Sequence, residues 1–105
     1  MIEKYNWDLD DWKKWCNEPS VEQYKYCFVV AFQDNTDIIS ISLFKTDNKN
    51  MNWPKQISQD CRYSCVAHKR FCLRPIITKG SEFCKKFFDN ELDKMEIELN
   101  FKGYY

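Results

Sequence analysis

The run Cys61-Arg62-Tyr63-Ser64-Cys65-Val66-Ala67-His68-Lys69-Arg70-Phe71-Cys72 holds three of the chain's six cysteines and its single histidine. Its reading decides both the fold and the chemistry. The spacing C-x3-C-x2-H-x3-C carries the ligand types of a Cys3His zinc site. Yet steps of four, three and four are those of a helix face, and on a continuous helix these residues form one stripe with Ile57, about 16 Å long at 1.5 Å per residue. Zinc holds its ligands within about 2.3 Å, so the ends of such a stripe cannot share an ion. A site made of Cys61, Cys65, His68 and Cys72 then needs a helix break near Ser64 or Ala67. Alternatively, one i,i+4 pair must recruit Cys84 or Cys16 from elsewhere. The expectation is a helix from about Pro54 to Cys72 that buries the stripe, with no metal and no cofactor. A short helix followed by a strand stays open as the other conformation.

Working outward, the elements on either side are set by hydrophobic period. Residues 8–17 read as a helix: Asp8, Asp10 and Asp11 crowd its first turn, Leu9, Trp12 and Cys16 share a face, and Pro19 closes it. Tyr24 to Phe32 is a β-branched and aromatic stretch, with Lys25 near its start, suited to a strand covered on both faces, although Ser20 and Gln23 spell a capping box that leaves a helix open. Turn residues Asp34-Asn35-Thr36-Asp37 follow, then Ile39, Ile41 and Leu43 alternate with Ser40, Ser42 and Phe44, which together predict a hairpin. Leu73-Arg74-Pro75 is expected to break a helix and Ile76-Ile77-Thr78 to be extended. Ser81 is a candidate N-cap for a helix carrying Phe83, Cys84, Phe87, Phe88 and Leu92. Met95, Ile97, Leu99 and Phe101 alternate with Glu96, Glu98, Asn100 and Lys102, which predicts a half-buried final strand. The fold class is therefore α+β: a mostly antiparallel sheet of three to five strands with two to three helices packed on it, forming a single domain over residues 1–105.

Composition narrows the class of function. Eight Phe, six Tyr and four Trp in 105 residues supply enough buried area to exclude disorder. Two glycines exclude the usual Gly-rich phosphate loops. No stretch approaches the roughly 20 apolar residues of a membrane span. The start, Met-Ile-Glu-Lys-Tyr-Asn-Trp-Asp, lacks the pattern of a signal peptide, so a cytoplasmic location with reduced thiols is expected. Cys16, Cys27 and Cys84 sit among apolar neighbours, as buried free cysteines do.

Formal charge is zero but unevenly spread. Residues 1–60 carry ten acids and seven bases, residues 61–88 seven bases and one acid, and residues 89–105 five acids and two bases. The basic block interleaves with Tyr63 and Phe71, a pattern compatible with nucleic acid, but the neutral whole argues against that partner. His68 beside Cys65 or Cys72 invites a thiol nucleophile, yet nothing supplies an oxyanion hole or a recognisable nucleophile motif, so no enzyme is expected. The remaining candidate is an acidic and aromatic surface at a helix start and loop tips. Its leading residues are Asp10, Asp11, Trp12, Asp34, Asp37 and Trp53.

In length, low glycine, high aromatic content and want of a catalytic motif, the chain resembles the small immunity proteins of bacterial toxin–immunity pairs of the contact-dependent inhibition type. It is similar in the same respects to phage-encoded inhibitors of host defence. The resemblance implies stoichiometric binding to a protein partner, a cognate toxin whose active site is masked. Where that toxin is a nuclease, acidic groups would occupy its basic cleft in place of phosphate. The competing expectation is a zinc-stabilised nucleic-acid module built on residues 61–88.

Overall fold

The computed structural model describes residues 2–17, 25–34, 37–46 and 64–103. In chain order these form β1 (Glu3–Lys4), α1 (Leu9–Asn17), β2 (Tyr26–Asp34), β3 (Asp37–Thr46), β4 (Ser64–Cys72), α2 (Leu73–Ile77) and α3 (Ser81–Phe101). The strands make one sheet in the order β1-β3-β2-β4. Its β2–β3 and β2–β4 pairs are antiparallel and the short β1–β3 pair is parallel. The α+β expectation holds, as does the hairpin.

β2 is the centre of the molecule. Its alternate residues Cys27, Val29 and Ala31 face the helices, while Phe28, Val30 and Phe32 form a second buried cluster on the other side. A strand covered on both faces needs no polar alternation, which is why Tyr26 to Phe32 is unbroken apolar sequence. Both of its partners slip register at the same end, against β3 between Phe32 and Gln33 and against β4 between Ala31 and Phe32.

The helices share the Cys27 face, and their junction is aromatic. Phe88 of α3 stacks on Trp12 of α1 with ring planes 2° apart and centroids at 5.8 Å, and meets Trp15 edge-on at the same distance. Trp7 closes on Trp12 at 5.0 Å, and Tyr5 on Trp7 at 4.0 Å. Among the described residues, the Trp12 indole nitrogen is a buried donor with no acceptor. Leaving such a donor unpaired costs about 1–3 kcal/mol, which the surrounding ring contacts have to offset.

Four expectations from sequence are corrected here. Residues Ser64–Cys72 are a strand, not the end of a helix; residues 54–63 of that expected helix lie outside the described residues. β2 has backbone groups to satisfy on both edges, and β4 supplies the second partner from Gln33↔Ser64 to Tyr26↔Cys72. Met95 to Phe101 is not a strand but the last turns of α3. The buried positions Cys84, Phe88, Leu92, Met95 and Leu99 step by four, four, three and four, and the intervening Glu, Lys, Leu and Met are good helix formers with no breaker among them. Leu73–Ile77 is helical rather than extended. Pro75 falls in the first turn, where its missing N–H costs nothing, and the Leu73 amide donates to the Lys25 carbonyl at 2.9 Å. Ser81 opens α3 but does not cap it: Gly80 does, at φ +100°, a backbone angle that glycine adopts freely.

The helical and extended readings of residues 95–101 differ in what each side chain does for stability. Phe88→Ala is expected to cost about 3–5 kcal/mol in denaturant unfolding, and Ile97→Ala less than about 0.5 kcal/mol because that side chain is exposed. A loss above about 2 kcal/mol for Ile97→Ala would restore the half-buried strand.

Candidate functional site

A helix that buries one stripe presents the opposite one. On α3 the outward residues near the C-terminus are Ile97 and Phe101, one turn apart and 68% and 92% exposed. Scattered single apolar side chains on a surface need no explanation, but two large ones at i,i+4 form a contiguous ridge. Acids surround it. Asp93 and Glu98 side chains are 61% and 54% exposed, and residues 89–105 carry five acids against two bases.

The sheet holds this helix by lysines that reach past its core residues. Lys4, paired in register with Ile41, extends from β1 to Asp93 at 2.9 Å and Glu96 at 2.5 Å. Hydrogen bonds to Glu96 first and Asp93 second raise the Lys4 ammonium above its ordinary pKa. Lys69, opposite Val29 on β4, reaches Glu98 at 3.0 Å. α3 is thus tied to both edge strands of the described sheet, with its ridge pointing away. A third lysine, Lys45, donates to the Trp15 carbonyl at 3.1 Å and lies 4.3 Å from the Trp15 ring, satisfying a carbonyl in the last turn of α1.

The residues singled out from sequence fare differently from one another. Asp10 and Asp11 are exposed in the first turn of α1. Asp8 caps that turn, its Oδ1 accepting the Asp11 amide at 2.9 Å. Trp12 is corrected from contact residue to core residue: it is 0% exposed because Phe88, Trp7 and Trp15 enclose it. Asp34 and Asp37 face each other across the hairpin end. Trp53 and Cys61 lie outside the described residues, and of Cys65 the strand position alone is described.

β4 gives the Cys/His run a geometry unlike the expected stripe. His68 and Cys72 stand opposite Val30 and Tyr26, on the sheet face away from the helices, and both are exposed. Four strand residues separate them by roughly 13 Å, so they cannot ligate one ion. Between them Arg70 lies over the Tyr26 ring at 5.6 Å. Among the described residues no group of three or more His, Cys, Asp or Glu is placed to hold a metal. The three inner thiols Cys16, Cys27 and Cys84 are buried. Burial pushes the Cys27 thiol well up, and burial followed by a hydrogen bond to Cys16 does the same to Cys84. The Cys27 and Cys84 thiols are therefore protonated at neutral pH and poor nucleophiles.

A cleft of about 460 Å³ opens between the N-terminal segment and α3, lined by Lys4, Tyr5, Lys85, Asp89, Leu92 and Asp93 among others. Its charges are matched internally: Lys85 pairs with Asp89 at 2.7 Å, as Lys4 does with Asp93. Sequence reasoning missed the α3 ridge because it read residues 95–101 with a period of two. The signal for it was present in the pairs Met95/Leu99 and Ile97/Phe101, which also fit one helical turn.

No protein-family model matches the chain, and no curated protein or solved structure is found to be similar to it.

The Cys27 and Cys84 thiols set a pH dependence. A thiol whose pKa is raised by folding keeps its proton in the native state where the unfolded chain has lost it. Its stabilising contribution is therefore complete below the ordinary thiol pKa of about 8.5 and is lost as pH rises above it. Between about pH 8.5 and 10, stability should fall by roughly 1 kcal/mol per pH unit for each such thiol. Cys27→Val should flatten that slope in denaturant titrations. Parallel slopes for the two proteins would exclude Cys27 as a source.

Proposed function

We propose that this chain is a non-enzymatic binding protein of the immunity type, which neutralises a cognate toxin by covering its active site with the outer face of α3. The observation that carries this reading is the ridge of Ile97 and Phe101, exposed on a helix whose opposite side is locked into the core. Rigid apolar anchors with acids around them fit a partner that offers an apolar notch inside a basic rim, as the substrate cleft of a nuclease does. Anchors on a preformed helix lose little conformational entropy on binding. The charge arrangement supports a protein partner over nucleic acid. Within the basic block, Lys69 and Lys85 are paired with Glu98 and Asp89, which engages those acids as well, and residues 89–105 still carry five acids against two bases.

The test uses the partner captured from the source organism and then purified. The double variant Ile97→Ala/Phe101→Ala is expected to weaken binding by about 30-fold or more, with little change in melting temperature. Reversing Asp10 and Asp11 to Lys is expected to leave the affinity within a few-fold. Loss of binding on the second change alone would move the surface to the start of α1. Salt-dependent binding to an oligonucleotide, with zinc recovered in the purified protein, would replace this reading with the nucleic-acid module.

A further inference from the structure

The α1–α3 junction brings two cysteines together as a consequence of its helical repeat. Trp12 stacks on Phe88. Cys16 lies four residues after Trp12, and Cys84 four residues before Phe88, so in an antiparallel pair of helices each is one turn along on the same seam. Both belong to the core cluster, at 5% and 0% exposure. Cys16 is also the neighbouring side chain that, after burial, acts most strongly on the Cys84 thiol, pushing it up. Helices packed at axial distances of about 8–10 Å, with Cα atoms about 2.3 Å from each axis, bring facing Cα atoms to roughly 4–6 Å. A disulfide spans Cα separations of about 4.4–6.8 Å. The third buried thiol, Cys27, is turned to its own strand, donating to the Phe28 carbonyl at 3.9 Å.

We propose that Cys16 and Cys84 are a latent disulfide, closed when the chain folds in the presence of a low-molecular-weight disulfide such as oxidised glutathione. The two thiols give up two protons and two electrons, one S–S bond forms between them, and the glutathione disulfide is reduced to two glutathione thiols. Once α1 has docked on α3, both sulfurs are shielded from solvent. Exchange in the folded protein is then slow in either direction, so the bond is set during folding and persists afterwards. It joins the two helices one turn from the Trp12–Phe88 stack and closes a long loop, the arrangement in which a cross-link restricts the unfolded chain most.

The experiment refolds the full reduced chain in a glutathione redox buffer, blocks free thiols by alkylation and maps linked peptides without reduction. Cys16–Cys84 is expected as the dominant bridge. The bridged protein should melt higher than the reduced one by on the order of 10 °C. Cys16→Ala should abolish that gain and Cys72→Ser should retain it. A dominant bridge through Cys27, Cys72 or another thiol, an unbridged chain, or a bridge that leaves the melting temperature unchanged would overturn the proposal. If Cys16→Ala does not fold, the peptide map and the oxidised–reduced comparison of the unaltered chain decide the matter.

Discussion

The closing of Phe88 on Trp12, face to face, and on Trp15, edge-on, is the contact on which the rest of this small domain depends. α1 is nine residues long, too short to be stable on its own in water. Its order comes from those two rings closing on Phe88, with Lys45 holding its last turn. The same contact fixes the rotation of α3 about its axis. With Phe88 turned inward, Cys84, Leu92, Met95 and Leu99 follow into the core, and Ile97 and Phe101 are left outside. The surface proposed to meet a partner is thus a geometric consequence of an aromatic stack more than two turns away along the same helix. Lys4 and Lys69 add tethers at the flanks of α3, but exposed ion pairs contribute modestly and serve more to orient than to stabilise.

Much of this was legible in the sequence where local signals agree. Asp8 and the acids after it, with Trp12 and Cys16 behind, specify α1 through capping and period together. The β2–β3 hairpin follows from an apolar run, turn residues and an alternating run. Two of the misread segments share a physical ambiguity. In Cys61–Cys72 the spacing fits a helix face, yet Val66, His68 and Arg70 alternate with Ala67, Lys69 and Phe71 equally well. In Met95–Phe101 the alternation of a strand coincides with two i,i+4 pairs of a helix. Local pattern cannot separate these cases. What decides them is tertiary: the unpaired edge of β2 draws residues 64–72 into the sheet, and the continuous seam from Cys84 to Leu99 carries α3 past Met95.

The site was legible only in part for the same reason. Acidic character at the end of the chain was plain from residues 89–105, but the side chains it surrounds were assigned to the wrong element. Trp12 attracted attention as a possible anchor because tryptophan often serves at interfaces, whereas here its ring completes the core. Large aromatic side chains do both jobs, and burial alone distinguishes them. Nor could the strand position of His68 and Cys72, which sets them too far apart for one ion, be read from spacing that suits a helix.

The proposed binding surface requires that α3 run unbroken through residue 101 with Ile97 and Phe101 outward. Amide hydrogen exchange of the chain, free and partner-bound, tests both halves at once. Protection is expected to extend through the last turns of α3 in the free chain and to increase on binding between residues 93 and 101. Early loss of protection at Met95 in the free chain, or added protection confined to other elements in the complex, would contradict it.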